Sequence, residues 1–205
     1  MKVCETIIND KKINFTHNNE DDIVNLFVET LEKQDKAYKI IEDGKTLQIG
    51  FNYYRIKKSD NNEYKIYSVD YHKNPLKDIT EDLSLPLSIM KDQLLITKKT
   101  GLISDEVITF QDTLLVKKTS LTSPNVYFEK QQPKEGNDSG WYMGNLDDTE
   151  KSNNPEDYEM MILYKLLTVC PKALSILNLP VGSLAIIKNN EIVGISDSNN
   201  NEVYN

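Results

Sequence analysis

The sequence predicts an α+β protein in which two small antiparallel sheets each pack with one or two helices. Three observations predict this class: one strongly amphipathic helical segment near the start, short alternating segments separated by turn residues, and a second set of such segments toward the end. Hydrophobic residues make up 39% of the 205 residues and charged residues 27%, as is usual for soluble globular proteins. A chain of this length can bury a substantial core.

The clearest predicted helix begins near residue 21. Ile23, Phe27 and Leu31 recur at the spacing that places side chains on one face of a helix. Acidic residues at its start suit the positive end of the helix dipole. Asn18 or Asn19 is expected to cap this end.

Three strand regions surround this helix in the first half of the chain. Residues 3–8 form the first strand, and residues 64–70 alternate as the last. Between them, residues 38–51 are predicted to form a hairpin, because Asp43-Gly44 readily adopts the positive φ angles of a tight turn. The first half is therefore predicted to contain a strand, a helix and an antiparallel meander.

A second helix is predicted from Pro86, which suits a first helical turn, to Gly101, which suits a helix end. We place the domain boundary just after it. Residues 1–102 form an N-terminal α+β domain of unknown role, and residues 103–205 form a C-terminal α+β domain.

The C-terminal half begins with two predicted strands, residues 113–117 and 126–130. A long polar stretch, residues 131–154, follows them and surrounds the only tryptophan; neither a strand nor a helix is assigned to it. Asn154-Pro155, followed by two acids, then predicts a helix that runs to about Val169.

The chain is expected to end in a hairpin and a frayed tail. A short helix should follow Pro171, and residues 184–188 and 192–195 should pair around Asn189-Asn190. The polar residues 196–205 are expected to fray.

Charge is distributed unevenly between the halves. Residues 1–102 carry 16 bases and 17 acids, whereas residues 103–205 carry 8 bases and 15 acids, a net charge of −7. Such acidity disfavours nucleic acid and anionic membranes as partners and attracts basic proteins at low salt. The simpler alternative is that the charge only keeps the protein soluble.

The chain shows no sign of an oxidised or membrane-bound location. Its two cysteines, Cys4 and Cys170, form no disulfide framework and no metal-binding spacing. Cys170 follows apolar residues and is expected in the core. The start of the chain lacks a signal-peptide pattern, and no segment has the apolar length to span a membrane. We expect a cytoplasmic protein.

We expect no catalytic activity and no cofactor or metal. The only histidines, His17 and His72, lie in polar, loop-like contexts without a nucleophile motif. Asp147, Asp148 and Glu150 do not fit the ligand spacing of a calcium loop. A small enzyme that uses carboxylates and a metal remains an alternative.

The most informative segment is Asp138-Ser139-Gly140-Trp141-Tyr142, which contains the only tryptophan. Residues 135–159 hold eight carboxylates and one base, Lys151. An aromatic anchor beside such charge is typical of surfaces that bind a basic protein. The predicted partner-binding residues are Asp138, Trp141, Tyr142, Asp147, Asp148 and Glu150. Alternatively, the tryptophan is a core anchor that donates one indole hydrogen bond.

Three motifs in a fixed order carry a family resemblance. Asp138-Ser139-Gly140-Trp141 is followed by Asn154-Pro155-Glu156-Asp157 and then by Leu179-Pro180-Val181-Gly182-Ser183. This order resembles the bacterial immunity protein 33 family over roughly residues 114–195.

The resemblance implies an immunity protein of a polymorphic toxin system. Such a protein binds the catalytic domain of a cognate toxin in the producer's own cytosol and neutralises it sterically. The acidic half favours a basic toxin domain, whose active-site groove would be occluded by residues 138–159. The alternative function is a non-catalytic adaptor that binds another bacterial protein.

Overall fold

The computed structural model describes residues 1–149 and 152–204. It confirms the α+β class, with two open sheets and a few helices. Contacts divide the chain into two compact units, Met1–Lys91 and Asp92–Asn205. The sequence-based division after residue 102 remains a prediction about which parts fold independently.

The first unit is built around a six-stranded sheet in the order β1-β2-β5-β4-β3, with β6 beside β5. Its strands are β1 (Lys2–Ile8), β2 (Lys11–His17), β3 (Thr46–Ile49), β4 (Asn52–Lys58), β5 (Tyr64–Val69) and β6 (Ile79–Thr80). Neighbouring strands run antiparallel except for β2 and β5, which are parallel. Its helices are α1 (Asp21–Tyr38) and the start of α2 (Ser84–Thr100).

Helix α1 packs on this sheet through the predicted face. Ile23, Phe27 and Leu31 are all buried. The Phe27 ring meets Phe15 of β2 edge-on, with 5.5 Å between ring centroids, and lies 4.9 Å from the Tyr54 ring of β4. The amphipathic period therefore identified both the helix and the side that it buries.

The strand boundaries in this unit differ from the predictions in two places. Asn9 and Asp10, both with positive φ, turn β1 directly into β2, a strand that was not predicted. The predicted hairpin turn at Asp43-Gly44 is wrong, because β3 and β4 are joined at Gly50 instead. The Asp43 carboxylate accepts a hydrogen bond from the Lys58 backbone N–H, so this segment lies beside the end of β4.

The predicted asparagine cap of α1 is also wrong. Glu20 occupies the N-cap position without a side-chain cap hydrogen bond. The Asn19 side chain instead donates to the Ser88 hydroxyl, and the Asn18 backbone N–H donates to the Ser84 hydroxyl. Contacts with α2 therefore replace a local cap.

The second unit is built around a seven-stranded sheet in the order β10-β7-β9-β8-β11-β12-β13. Its strands are β7 (Thr113–Lys117), β8 (Asn125–Lys130), β9 (Asp138–Asn145), β10 (Tyr158–Ile162), β11 (Leu184–Lys188), β12 (Glu191–Ser196) and β13 (Glu202–Tyr204). β7 and β9 are parallel, and the other neighbours are antiparallel. The unit also contains short helical segments: α3 (Leu166–Val169) and 3₁₀ turns at Lys118–Leu121, Pro155–Asp157, Leu163–Lys165 and Pro171–Ile176.

Three features of this unit differ from the predictions. The polar stretch 131–154, for which no strand was predicted, contains β9, an interior strand of the sheet. The helix expected up to Val169 is replaced by a 3₁₀ turn, the strand β10 and the short α3. Asn154 does act as the predicted cap, since its side chain accepts from the Glu156 N–H at 3.1 Å. The tail, expected to fray, forms β13 against β12.

The hairpin predicted near the end of the second unit is confirmed. Asn189 and Asn190 both have positive φ, and β11 and β12 pair across them.

Cys170 is buried as expected, and both cysteines are free thiols. Within residues 1–149 and 152–204, no helix combines the length and apolar character needed to cross a membrane.

Candidate functional site

The Asp138–Tyr142 segment forms a β-bulge. Thr113 pairs with Asp138 and Leu115 with Tyr142, so β9 contains extra residues between these two positions. The Asp138 carboxylate holds the bulge by accepting from the backbone N–H groups of Gly140 (2.8 Å) and Lys134 (2.9 Å).

Glycine is required inside this bulge for two reasons. Gly140 has a φ of 70°, which L side chains rarely adopt. A Cβ atom at this position would also collide with the carbonyl oxygen of Gln131. The Asp-Ser-Gly part of the segment is therefore a structural device that orients the two aromatic residues that follow it.

Trp141 faces the core. Its side chain is 1% exposed, and its indole N–H donates to the carbonyl oxygen of Leu177 at 3.1 Å. The Phe128 ring meets it edge-on, with 6.5 Å between centroids. The structure thus corrects the expectation that this indole lies on a binding surface, because a side chain that is buried in the core cannot contact a partner.

Tyr142 points to the opposite face of the sheet, as successive residues of a strand do. There its ring lies 5.7 Å from the Tyr127 ring and 6.3 Å from the Tyr158 ring, measured between centroids. Burial, and next the Tyr127 hydroxyl, raise the pKa of Tyr142 above the ordinary value. The phenol is therefore neutral at physiological pH and can donate a hydrogen bond.

A continuous surface surrounds these three rings, and we call it the tyrosine face. Its defining residues are Leu115, Tyr127, Glu129, Tyr142, Tyr158 and Met160. Leu115 is 39% exposed and Met160 is 56% exposed. Aromatic and apolar side chains therefore meet solvent across four neighbouring strands, β8, β9, β7 and β10.

The tyrosine face is concave. One pocket of about 620 Å³ is lined by the three tyrosines, Leu115 and Glu129, together with Lys117 and Asp148. A second pocket of about 320 Å³ shares Leu115 and Tyr142 with the first and is lined by Met160, Glu135 and Asp138. Such hollows suit the projecting side chains of a partner.

An ion pair contributes to the lining of the larger pocket. The Lys117 ammonium lies 2.5 Å from the Asp148 carboxylate, which also accepts from the Thr119 hydroxyl at 2.9 Å. The hydrogen bond from Lys117 lowers the pKa of Asp148, and the same bond raises the pKa of Lys117. Both groups are therefore charged across the physiological pH range.

Gly144 makes room for one wall of the larger pocket. It pairs with Tyr127 across β8 and β9. A Cβ atom at position 144 would collide with the Tyr127 ring carbons and would lie 2.6 Å from its hydroxyl oxygen. The Tyr127 ring therefore covers this glycine, an arrangement that pins strand register.

We expect Gly144→Ala to displace the Tyr127 ring and to lower the stability of the second unit by about 1–3 kcal/mol. Urea unfolding followed by Trp141 fluorescence measures this loss, since the protein has one tryptophan. Gly194→Ala is the matched control, because the nearest atoms of the described residues to a Cβ atom there lie 3.9 Å away, an ordinary van der Waals contact. Equal stability of the two variants would contradict the proposed packing of Tyr127 on Gly144.

The structure brings together some of the sequence-predicted binding residues. Tyr142, Asp138 and Asp148 all line the pockets of the tyrosine face. The Trp141 indole is instead buried in the core, although residue 141 contributes to the lining of the smaller pocket. Asp147 lies in the turn that follows β9, where its carboxylate accepts from the Asn125 side chain at 3.2 Å. Glu150 lies outside the described residues.

Sequence reasoning did not select Leu115, Lys117 or Glu129, although a signal for them exists. All three occupy alternate positions of β7 and β8, the two strands that were predicted correctly. Side chains at alternate positions of a strand share one face. The solvent-facing side chains of the predicted strands β7 and β8 therefore identify the residues that share a face of the sheet with Tyr142.

The described residues contain no group of three or more histidine, cysteine or acidic side chains placed to hold a metal ion. His17, expected in a loop, is the buried last residue of β2, and its Nδ1 accepts from the Asn19 backbone N–H. This histidine therefore has a structural role in the first unit.

Comparison with known families adds one match. The model of the Imm33-like domain matches residues 92–197, which is 106 of the 205 residues. The matched segment includes every strand that contributes to the tyrosine face. No curated protein and no solved structure matches the chain.

Proposed function

This chain belongs to the Imm33-like family, and from that membership we propose that it is an immunity protein that binds a cognate bacterial toxin domain and neutralises it by steric occlusion. The observation that carries the proposal is the tyrosine face, an exposed and concave aromatic surface within the matched domain.

The composition of this surface supports a protein partner. Tyrosine and methionine are enriched in protein interfaces, and tyrosines often supply a large share of binding energy. Three tyrosines lie within ring contact here, and two exposed apolar side chains, Leu115 and Met160, extend the surface beside them. A rigid sheet presents all of them, so little conformational entropy is lost on binding.

Charge supports a basic partner. The unit Asp92–Asn205 contains ten lysines and sixteen carboxylates, a net charge of −6. The acids Glu129, Asp138 and Asp148 line the tyrosine face, and Lys117 is already paired with Asp148. Complementary charge of this sort speeds association and favours the correct partner.

The proposal is tested by recovering the partner. The tagged protein is captured from its host at low salt, and the proteins bound to it are identified by mass spectrometry. We expect one basic domain that is toxic when expressed alone and harmless when co-expressed with this protein. A non-toxic partner would replace the immunity function with the adaptor alternative.

A surface variant then tests where the toxin binds. We expect Leu115→Arg to weaken toxin binding by about 2 kcal/mol or more, because it places a cation in the middle of the aromatic surface. Calorimetric titration with the recovered toxin measures this loss, and co-expression growth reports neutralisation.

Val193→Arg is the matched control for this variant. Val193 is 45% exposed, close to the 39% of Leu115. It lies on β12, four strand positions from β7 and hence roughly 19 Å across the sheet. Equal weakening by both variants would indicate a general charge effect and would remove the tyrosine face from the binding site.

A further inference from the structure

We propose that Glu129, together with the Tyr127 and Tyr142 rings beside it, forms a receptor for one arginine side chain of the partner protein. That the partner is a toxin rests on the proposed function, whereas the arginine site is a property of this surface and can be tested separately.

The strand register brings the three groups together. Glu129 lies directly opposite Tyr142 on the neighbouring strand β9. Tyr127 is two residues earlier on β8, and positions two apart on a strand share one face. All three side chains line the larger pocket of the tyrosine face. The register therefore places Glu129 beside the two tyrosines in a concave site.

Glu129 has no cationic partner within the part of the chain that the structure describes. No lysine or arginine of residues 1–149 and 152–204 forms an ion pair with Glu129, and no side chain of these residues donates a hydrogen bond to it. The lysine of the same pocket, Lys117, lies 2.5 Å from the Asp148 carboxylate instead. A half-buried carboxylate beside aromatic residues, with no cation bound to it among the described residues, favours a cation supplied by the partner.

Arginine fits this arrangement better than lysine. Its planar guanidinium can lie against a tyrosine ring while its N–H groups form two parallel hydrogen bonds to one carboxylate. The lysine ammonium is a more strongly hydrated point charge and lacks this flat surface. The ring planes of Tyr127 and Tyr142 are inclined at 64° to each other. The face of one ring and the edge of the other therefore form a corner that can receive a flat group.

The site can be tested without the toxin, using acetyl-Gly-Arg-Gly-amide as the probe. Citrulline has nearly the same shape as arginine but no charge, so acetyl-Gly-citrulline-Gly-amide is the matched peptide. Binding is followed by NMR shifts of the Tyr127 and Tyr142 ring protons in the full chain. We expect saturable arginine binding on the order of millimolar and at least tenfold weaker citrulline binding.

Glu129→Gln should weaken arginine-peptide binding at least tenfold and leave citrulline-peptide binding unchanged. Glu191→Gln is the control, because it removes the same charge from an exposed acid on β12. Thermal unfolding checks that both variants keep the fold. Similar binding of the two peptides, an equal effect of both variants, or no saturable shift at about 20 mM arginine peptide would overturn the site.

The recovered toxin separates failure of this site from failure of the proposed function. If the toxin binds wild-type protein, Glu129→Gln should raise its Kd at least tenfold, and unchanged affinity would overturn the arginine site while leaving the immunity function in place. If the partner proves to be non-toxic, the proposed function fails and the peptide titration still decides the arginine site.

Discussion

Replacing Trp141 with alanine is expected to destabilise the second unit by about 3–5 kcal/mol, the usual cost of removing a fully buried tryptophan. Whole domains have only about 5–15 kcal/mol of stability, so the variant should be marginally folded. Loss of toxin binding in this variant would therefore follow from loss of folding.

Three contacts explain the size of the effect. The indole N–H donates to the Leu177 carbonyl oxygen, which would lose its partner in the variant. The Phe128 ring packs on the indole edge-on. The buried ammonium of Lys130 lies 6.0 Å from the indole ring and 2.5 Å from both the Ser139 carbonyl oxygen and the Glu106 carboxylate. A cavity at Trp141 would disturb this enclosed charge as well.

Trp141→Phe is the matched variant. It keeps an aromatic ring in the core but loses the hydrogen bond to Leu177, so we expect a smaller loss of about 1–3 kcal/mol. Urea unfolding followed by far-ultraviolet circular dichroism measures both variants. An alanine variant with wild-type stability and impaired toxin binding would contradict the core role of Trp141 and would show that it contributes to binding.

Replacing Asp35 with alanine should have a similarly large effect on the first unit, about 3–5 kcal/mol. Its side chain is fully buried near the end of α1. The carboxylate accepts from the Ile41 backbone N–H at 2.8 Å and from the Asn9 side chain at 2.7 Å, and it lies 3.4 Å from the Lys11 ammonium. One carboxylate thus connects the helix end, the β1–β2 turn and the following loop.

The contribution of Asp35 should depend on pH. Burial by itself would raise the pKa of Asp35, but the hydrogen bonds from Ile41 and Asn9 and the charge of Lys11 outweigh it and lower the pKa below the ordinary value. A carboxyl group whose pKa falls on folding stabilises the protein fully above its unfolded pKa of about 3.9. That stability is lost as the pH falls through the lower, folded pKa.

The difference in stability between wild type and Asp35→Ala should therefore be constant above about pH 5 and shrink in acid. Hydrogen exchange of the α1 amides at several pH values measures it in the first unit. Glu32→Ala, an exposed acid on the same helix, is the control and should change stability by less than about 0.5 kcal/mol. A difference that persists unchanged in acid would show that the Asp35 charge contributes nothing.

Elements with strong local signals were predictable from the sequence. The period of Ile23, Phe27 and Leu31 identified α1 and its buried side, because helix geometry alone aligns these residues. Asn189-Asn190 identified the β11–β12 hairpin, because asparagine tolerates positive φ. The order of motifs around Trp141 also indicated the family over most of the matched segment.

Strand β9 was not predictable in this way. Its residues include serine, glycine and asparagine, which favour turns when considered locally. They form a strand because β7 and β8 pair with them on both sides. Similarly, the residues after Asn154 have a genuine cap and a first-turn proline, yet pairing with β7 makes Tyr158–Ile162 a strand. Pairing with distant residues outweighed local propensity in both cases.

By itself, the sequence determined the α+β class, the acidic character of the C-terminal half and the importance of the segment around Trp141. Only the tertiary structure decided that Trp141 faces the core while Tyr142 joins Tyr127 and Glu129 on the opposite face. The physical reason is that side chains alternate between the faces of a strand, so a bulge and the register with neighbouring strands decide which residues meet.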